Sequence, residues 1–200
     1  FIGFGEAAFN IAKGLKAEGL NGIRAYDKYW DDPQAAALIA QRAAEAQVEL
    51  LPSHRALVES STMVVSAVSA DMALTLAEAS RPFLKPDQIY VDINATSPMT
   101  KEQIDKLLAP VALFVDCAVM GPVPTYKHKV PVAVSGGGAL PKGQMPQPPR
   151  SSAGATAVMQ DRVRRNRIAG LEAGRHPQMP VGRTLVLMGD VEHFRLGEPG

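Results

Sequence analysis

Apolar residues along this 200-residue chain follow two alternating rhythms. Over residues 6–18 they fall at Ala8, Ile11, Ala12 and Leu15, one face of a helix, with Gly19 placed to close it. Residues 23–27 form a short strand-like run, and residues 33–46, opened by Asp32-Pro33 and rich in alanine, read as a second helix. A strand over 48–51 ends at Pro52, and a short helix over 53–60 follows with Ser53 as its N-cap. The continuous apolar run 62–68 is that of a parallel strand covered on both faces. A helix over 70–80 is broken by Pro82 and Pro86, and a strand over 88–93 follows. Ser97-Pro98 then starts another helix, with Ser97 capping and Pro98 at its first position. Further strands are expected over 111–115 and 130–135. Strands alternating with helices to about residue 116 predict an α/β, doubly wound, mostly parallel sheet.

From residue 141 the rhythm is lost, and the chain reads as an irregular C-terminal tail. The first 140 residues hold four Arg and eight Lys, the last 60 eight Arg and one Lys. Those 60 also carry seven of the 16 Pro and eight of the 17 Gly, with Phe194 as their lone aromatic. Net charge changes from −3 to +4 across that boundary. Helical periodicity is confined to residues 155–171 and a strand pattern to 184–188; the rest argues against a packed core. The expected organisation is a domain over 1–140 and a tail over 141–200 whose composition resembles translation in a shifted reading frame. The chain does not begin with Met and its first strand is nearly absent before Gly3, so we read it as a fragment.

The overall charge of +1 recruits neither nucleic acid nor membrane. No run approaches the roughly 18 apolar residues of a membrane span, and no signal peptide is seen. Cys117 is the only cysteine, which excludes an internal disulfide framework and points to a reducing, cytoplasmic setting.

The chemistry begins at Gly3-x-Gly5-x-x-Ala8, between a strand end and a helix. Gly3 allows the tight turn, Gly5 lets backbone approach a pyrophosphate, and Ala8 lets the helix lie against the strand. The amides around Phe4, Glu6 and Ala7 and the helix dipole then face the phosphates. Asp27 ends the next strand at the distance from which a Rossmann carboxylate accepts hydrogen bonds from the adenosine ribose. That carboxylate favours NAD over NADP, although Lys28 offsets part of its repulsion of a 2′-phosphate. Ser66-Ala67-Val68-Ser69 lies at a strand's carboxyl end, where Ala67, Val68 and Ser69 are expected to reach the cofactor. Asp92-Ile93-Asn94-Ala95-Thr96-Ser97-Pro98 offers an amide and hydroxyls before a helix start, with Asn94 the candidate cofactor contact.

With the segment 114–122, these motifs resemble the NAD-binding domain of the 6-phosphogluconate dehydrogenase and β-hydroxyacid dehydrogenase superfamily, which includes 3-hydroxyisobutyrate dehydrogenases. The resemblance covers residues 1 to about 139. The family's GxGxMGxxMAxNL pattern is met by Gly3, Gly5, Ala8, Ala12 and Leu15, with Ala7 where Met is usual. Its DxSTxxP motif corresponds to Asp92, Asn94, Ala95 and Pro98. Its FVDAPVSGG motif corresponds to Phe114-Val115-Asp116-Cys117-Ala118-Val119-Met120-Gly121-Pro122, with Met120 at the serine position and Pro122 at the second glycine. Met120, Gly121 and Pro122 are thus the expected substrate contacts, without the hydroxyl that would donate to a carboxylate. The chain is most similar to a less characterised bacterial branch carrying an AVMGP-like segment.

The resemblance implies hydride transfer between a nicotinamide cofactor and the alcohol carbon of a hydroxy acid or related small molecule. In the family a lysine in GxGxxxKxxxN takes the hydroxyl proton; no such motif occurs here, and Lys142 is the last lysine. The closing Gly197-Glu198-Pro199-Gly200 resembles the glycine turn before that lysine. The chain is therefore expected to bind dinucleotide without turnover, its full-length parent being a homo-oligomer. The alternatives are a non-catalytic dinucleotide-binding module and an S-adenosylmethionine methyltransferase. His54, His128, His176 and His193 lack ligand spacing for a metal. Lys127-His128-Lys129 reads as a solvated basic turn, or else as a contact for an anionic substrate. The arginines at 162, 164, 165 and 167 lack the aromatic interleaving of a nucleic-acid surface. Cys117 reads as a small buried apolar residue.

Overall fold

A computed structural model describes residues 1–136, Gly138 and the backbone of Thr184–Leu187. Strands β1 (Arg24–Ala25), β2 (Glu49–Leu50), β3 (Met63–Ser66), β4 (Ile89–Asp92), β5 (Leu113–Val119), β6 (Val132–Ser135) and β7 (Thr184–Leu187) interleave with helices. These are α1 (Glu6–Ala17), α2 (Ala36–Ala46), α3 (His54–Glu59), α4 (Ala73–Ser80), α5 (Pro98–Leu108) and α6 (Val123–Tyr126). β1 pairs with β2, and β3 to β7 pair in chain order. Ile2 joins the two groups through parallel bridges to Tyr26 and Ser66, which places the chain start at the centre of the sheet. The order from one edge to the other is then β2, β1, Ile2, β3, β4, β5, β6, β7. Pairing is parallel as far as β5 and antiparallel for β6 and β7, a mostly parallel doubly wound sheet as the alternation predicts.

Side-chain alternation sorts three cores. Val64, Tyr90 and Phe114 point to one face, where they meet Ala73 and Ala77 of α4 and Ile104 and Leu108 of α5. Phe4, Ala8, Ala12 and Ala25 pack with Ala43 and Ala46 of α2. Val115, Cys117 and Val134 form a third cluster on the opposite side of β5 from Phe114. Alanines at the α1 contacts let the helix approach closely; Ala8 and Ala12 are fully buried.

Several boundaries differ from expectation for identifiable reasons. α2 starts at Ala36 because Asp32 Oδ1 accepts from the amides of Gln34 and Ala35, holding 33–35 in a turn. The helix expected over 70–80 opens as a 3₁₀ turn, Ala70–Met72, before α4. β5 runs on to Val119 because Asp116–Val119 find antiparallel partners in β6. Ser53 and Ser97 cap as expected, accepting from the amides of Ala56 and Thr100. The strand pattern of the tail corresponds to β7, while the helical pattern over 155–171 lies outside the described residues. Among the described residues no helix is long and apolar enough to cross a membrane.

Candidate functional site

The glycine turn sits at the carboxyl end of the central strand. Gly3 has φ +83°, and a Cβ there would stand 2.3 Å from Ala67 O, so both conformation and space demand glycine. Gly5 differs. Its φ of −73° suits any residue, and a Cβ would meet nothing within 4 Å. Nothing inside the described chain requires glycine at position 5, and the open space lies where α1 begins. There the first-turn amides of Glu6, Ala7 and Ala8 have no acceptor among the described residues, as helix geometry dictates. This arrangement fits an anion brought against backbone.

Asp27 closes one side of the turn. Its Oδ2 accepts from the Phe4 amide at 2.8 Å and its Oδ1 from the Tyr29 amide at 3.0 Å. Each oxygen keeps a lone pair for a further donor. Phe4 itself is fully buried, and its amide donates to Asp27, so it shapes the turn. Lys28 lies over the Tyr29 ring, its ammonium 4.7 Å from the centroid. Across the gap the Asp71 carboxyl is held below its usual range, chiefly by the Ser69 hydroxyl, with a smaller contribution from the Lys28 charge.

On the β3 side, the Ala67 amide donates to Ile2 O at 2.9 Å and the Val68 amide to Asn94 Oδ1 at 2.7 Å. Asn94 is buried, and its Nδ2 donates to Ser66 Oγ at 2.8 Å. The Asn94 side chain is turned inward and laces the ends of β3 and β4 together. Ser69 remains exposed at the loop tip. The candidate substrate residues follow β5: Met120 is 65% exposed, its amide donating to Pro131 O, and Pro122 O accepts from Thr125 and Tyr126 at the start of α6. A Cβ on Gly121 would make only ordinary contacts, so this glycine is not dictated by packing.

Two buried groups lie outside the expected site. Lys101, in the first turns of α5, places Nζ 3.1 Å from Asp92 Oδ1, 3.0 Å from Asp92 O and 2.8 Å from Asp116 Oδ1. Its position in a polar first helical turn gives no sequence signal of burial. His128 is the other. It is not solvated as the basic-turn reading expects, because its ring packs onto α1, where a Cβ at Gly14 would stand 2.1 Å from Nδ1. Its Nε2 lies 3.4 Å from Glu18 Oε1, which also pairs with Lys129 at 2.8 Å. Burial holds the imidazole below its usual pKa against the pull of Glu18. His54 shares a hydrogen bond with Ser80 Oγ at 2.9 Å, and His176 and His193 lie outside the described residues. Cys117 is buried, and burial pushes its thiol up to about 11, as suits a core residue. The arginines at 162, 164, 165 and 167 also lie outside the described residues.

No family model matches the chain. An uncharacterised 28.5 kDa protein from the 7S RNA 5′ region of Methanothermus fervidus is 31% identical over 136 residues, 68% of this chain and 49% of that protein. A conserved hypothetical protein from Sinorhizobium meliloti 1021 is 37% identical, with a TM-score of 0.62 over 66% of this chain and 44% of the other. A conserved protein of unknown function, MTH1747, described as structurally similar to 3-hydroxyacid dehydrogenases, is 30% identical, with a TM-score of 0.54 over 65% and 46%. A 3-hydroxyisobutyrate dehydrogenase from Mycobacterium tuberculosis shares the fold at 18% identity, with a TM-score of 0.53 over 62% and 40%. The chain thus spans about half the length of the proteins it matches.

Proposed function

We propose that this chain, a member of the β-hydroxyacid dehydrogenase superfamily, supplies the dinucleotide-binding half of an NAD(P)-dependent oxidoreductase. The observation that carries this reading is Gly5, a glycine that neither backbone angle nor internal packing requires, beside helix amides without acceptors. The amides from Gly5 to Ala7 hold the pyrophosphate, and Asp27 accepts from the adenosine ribose while fixing the turn through Phe4 and Tyr29. The backbone of Ala67 and Val68 and the exposed Ser69 border the same cleft, and Asn94 sets the position of Val68. When bound, the nicotinamide ring supplies the hydride acceptor or donor. Met120, Gly121 and Pro122 border the substrate, a hydroxy acid or related alcohol, without a hydroxyl for its carboxylate.

Asp27 favours NAD over NADP on this reading. The setting is cytoplasmic and reducing, in keeping with the lone buried Cys117. Residues 1–140 form the binding domain, and 141–200 carry a composition produced by a shifted frame; translating the coding DNA around codon 140 in its other frames tests that boundary. On this reading the 200-residue chain binds dinucleotide without turnover, and the protein acts as a homo-oligomer. Titrating the chain with NADH, NADPH and S-adenosylmethionine separates the dehydrogenase reading from a methyltransferase. Saturable binding of NADH with no response to S-adenosylmethionine is expected; the reverse pattern contradicts the proposal.

A further inference from the structure

Corresponding positions across β3 to β6 carry Ser66, Asp92, Asp116 and Ser135, a polar row beside the carboxyl ends of β3 and β4. Lys101 enters this row from α5. Its ammonium reaches Asp92 twice, through Oδ1 and the main-chain oxygen, and Asp116 once. Beyond Asp92, the same Oδ1 accepts from the Asn94 amide at 2.7 Å, and Asn94 holds Ser66 and the Val68 amide. On the other side, Ser135 Oγ donates toward Asp116 Oδ2 at 3.5 Å. One cation therefore links the cofactor-side loop after β3 and β4 to the strand that leads into Met120, Gly121 and Pro122.

We infer that Lys101 is a positioning residue: its buried ammonium fixes the relative placement of the cofactor-side and substrate-side loops. The consequence for binding rests on the dinucleotide reading above; the placement of the loops does not. Asp92 is fully buried, and its Oδ2 has no hydrogen-bond partner in the described structure. Lys101 is thus the cation against which the Asp92 carboxylate is buried, and removing one member of such a pair leaves an uncompensated charge. The titratable groups on Asp92's face are Lys101 from α5, Asp116 from β5 and the Tyr90 hydroxyl from its own strand. Lys101 is the cation among these. Without it, the Asp92 carboxylate is left without a cation on its face, so the loops it anchors loosen.

The test measures hydrogen-exchange protection, corrected for intrinsic rates, in the 200-residue chain. Lys101→Met is expected to lower protection of residues 93–97 and 117–122 by about tenfold and to leave α1 and α2 unchanged. Adding Asp92→Asn removes the unpaired charge; the double variant is expected to show a smaller loss, confined to the same loops. NADH affinity is expected to fall in parallel. Unchanged loop protection in Lys101→Met overturns the inference, as does a loss spread evenly over the fold. Should Lys101→Met fail to fold, the double variant decides by the same criteria. Should wild type bind no NADH, the proposed function fails and the exchange pattern alone judges Lys101.

Discussion

At the scale of single residues, Gly3 and Gly5 separate two demands that one motif makes. Gly3 serves the protein, because φ and the nearby Ala67 carbonyl leave no room for a side chain. At Gly5 a Cβ would meet nothing, and the proposed function assigns that open space to an approaching phosphate. Gly5→Val is accordingly expected to cost about 1 kcal/mol or less in thermal unfolding, the range of an altered N-cap, while NADH affinity falls at least about tenfold. Asp27 has a double role, so Asp27→Ala is expected to destabilise by about 1–3 kcal/mol through the released Phe4 and Tyr29 amides. Paired titrations should also show NADH weakened more than NADPH, a ratio that lost stability alone leaves unchanged. Glu6 brings a negative charge to the helix end that receives phosphate. Glu6→Gln is expected to tighten NADH binding about two- to fivefold at low salt and to have little effect at high salt.

At the scale of elements, α1 is held by an approach that only its glycine permits. The segment Lys127–Lys129 crosses α1 at Gly14 with His128 against the helix. An alanine in a helix usually stabilises, by about 1 kcal/mol over glycine. Here Gly14→Ala is expected to destabilise by about 1–3 kcal/mol in denaturant titration, and His128→Ala in the same chain should relieve most of that loss. Since burial holds His128 below its usual 6.5, the unfolded chain takes up its proton first as pH falls. Stability is therefore expected to fall from pH 7 towards pH 5, less steeply in His128→Gln. The helices whose signals are local were legible: Ser53 and Ser97 cap as their positions predict. The length of β5 was not, because Asp116–Val119 become strand only through pairing with residues that follow the Pro-rich connection. The inward hydrogen bonds of Asn94 and the burial of Lys101 were not legible for a related reason. Both are polar residues in polar surroundings of sequence, and their burial arises only when β3, β4, β5 and α5 converge.

At the scale of the whole molecule, the order of the sheet follows from alternation and from the handedness of parallel crossovers, and it sets the site at the ends of the central strands. Ile2 alone represents the central strand, yet its two bridges unite the halves. An apolar groove of about 310 Å³ beneath α1 is lined by Ile11, Leu15, Val91, Val115, Val132 and neighbours, none of them a residue of the proposed binding site. Substrate identity was less legible than fold, since Met120 and Pro122 replace the polar and small residues by which the superfamily's motif is read.

The most direct measurement is calorimetric titration of the 200-residue chain and of Gly5→Val with NADH, at matched fraction folded. The account predicts one saturable site per chain in the parent sequence and its loss in the variant. Equal binding by both, or no binding by the parent sequence, contradicts it.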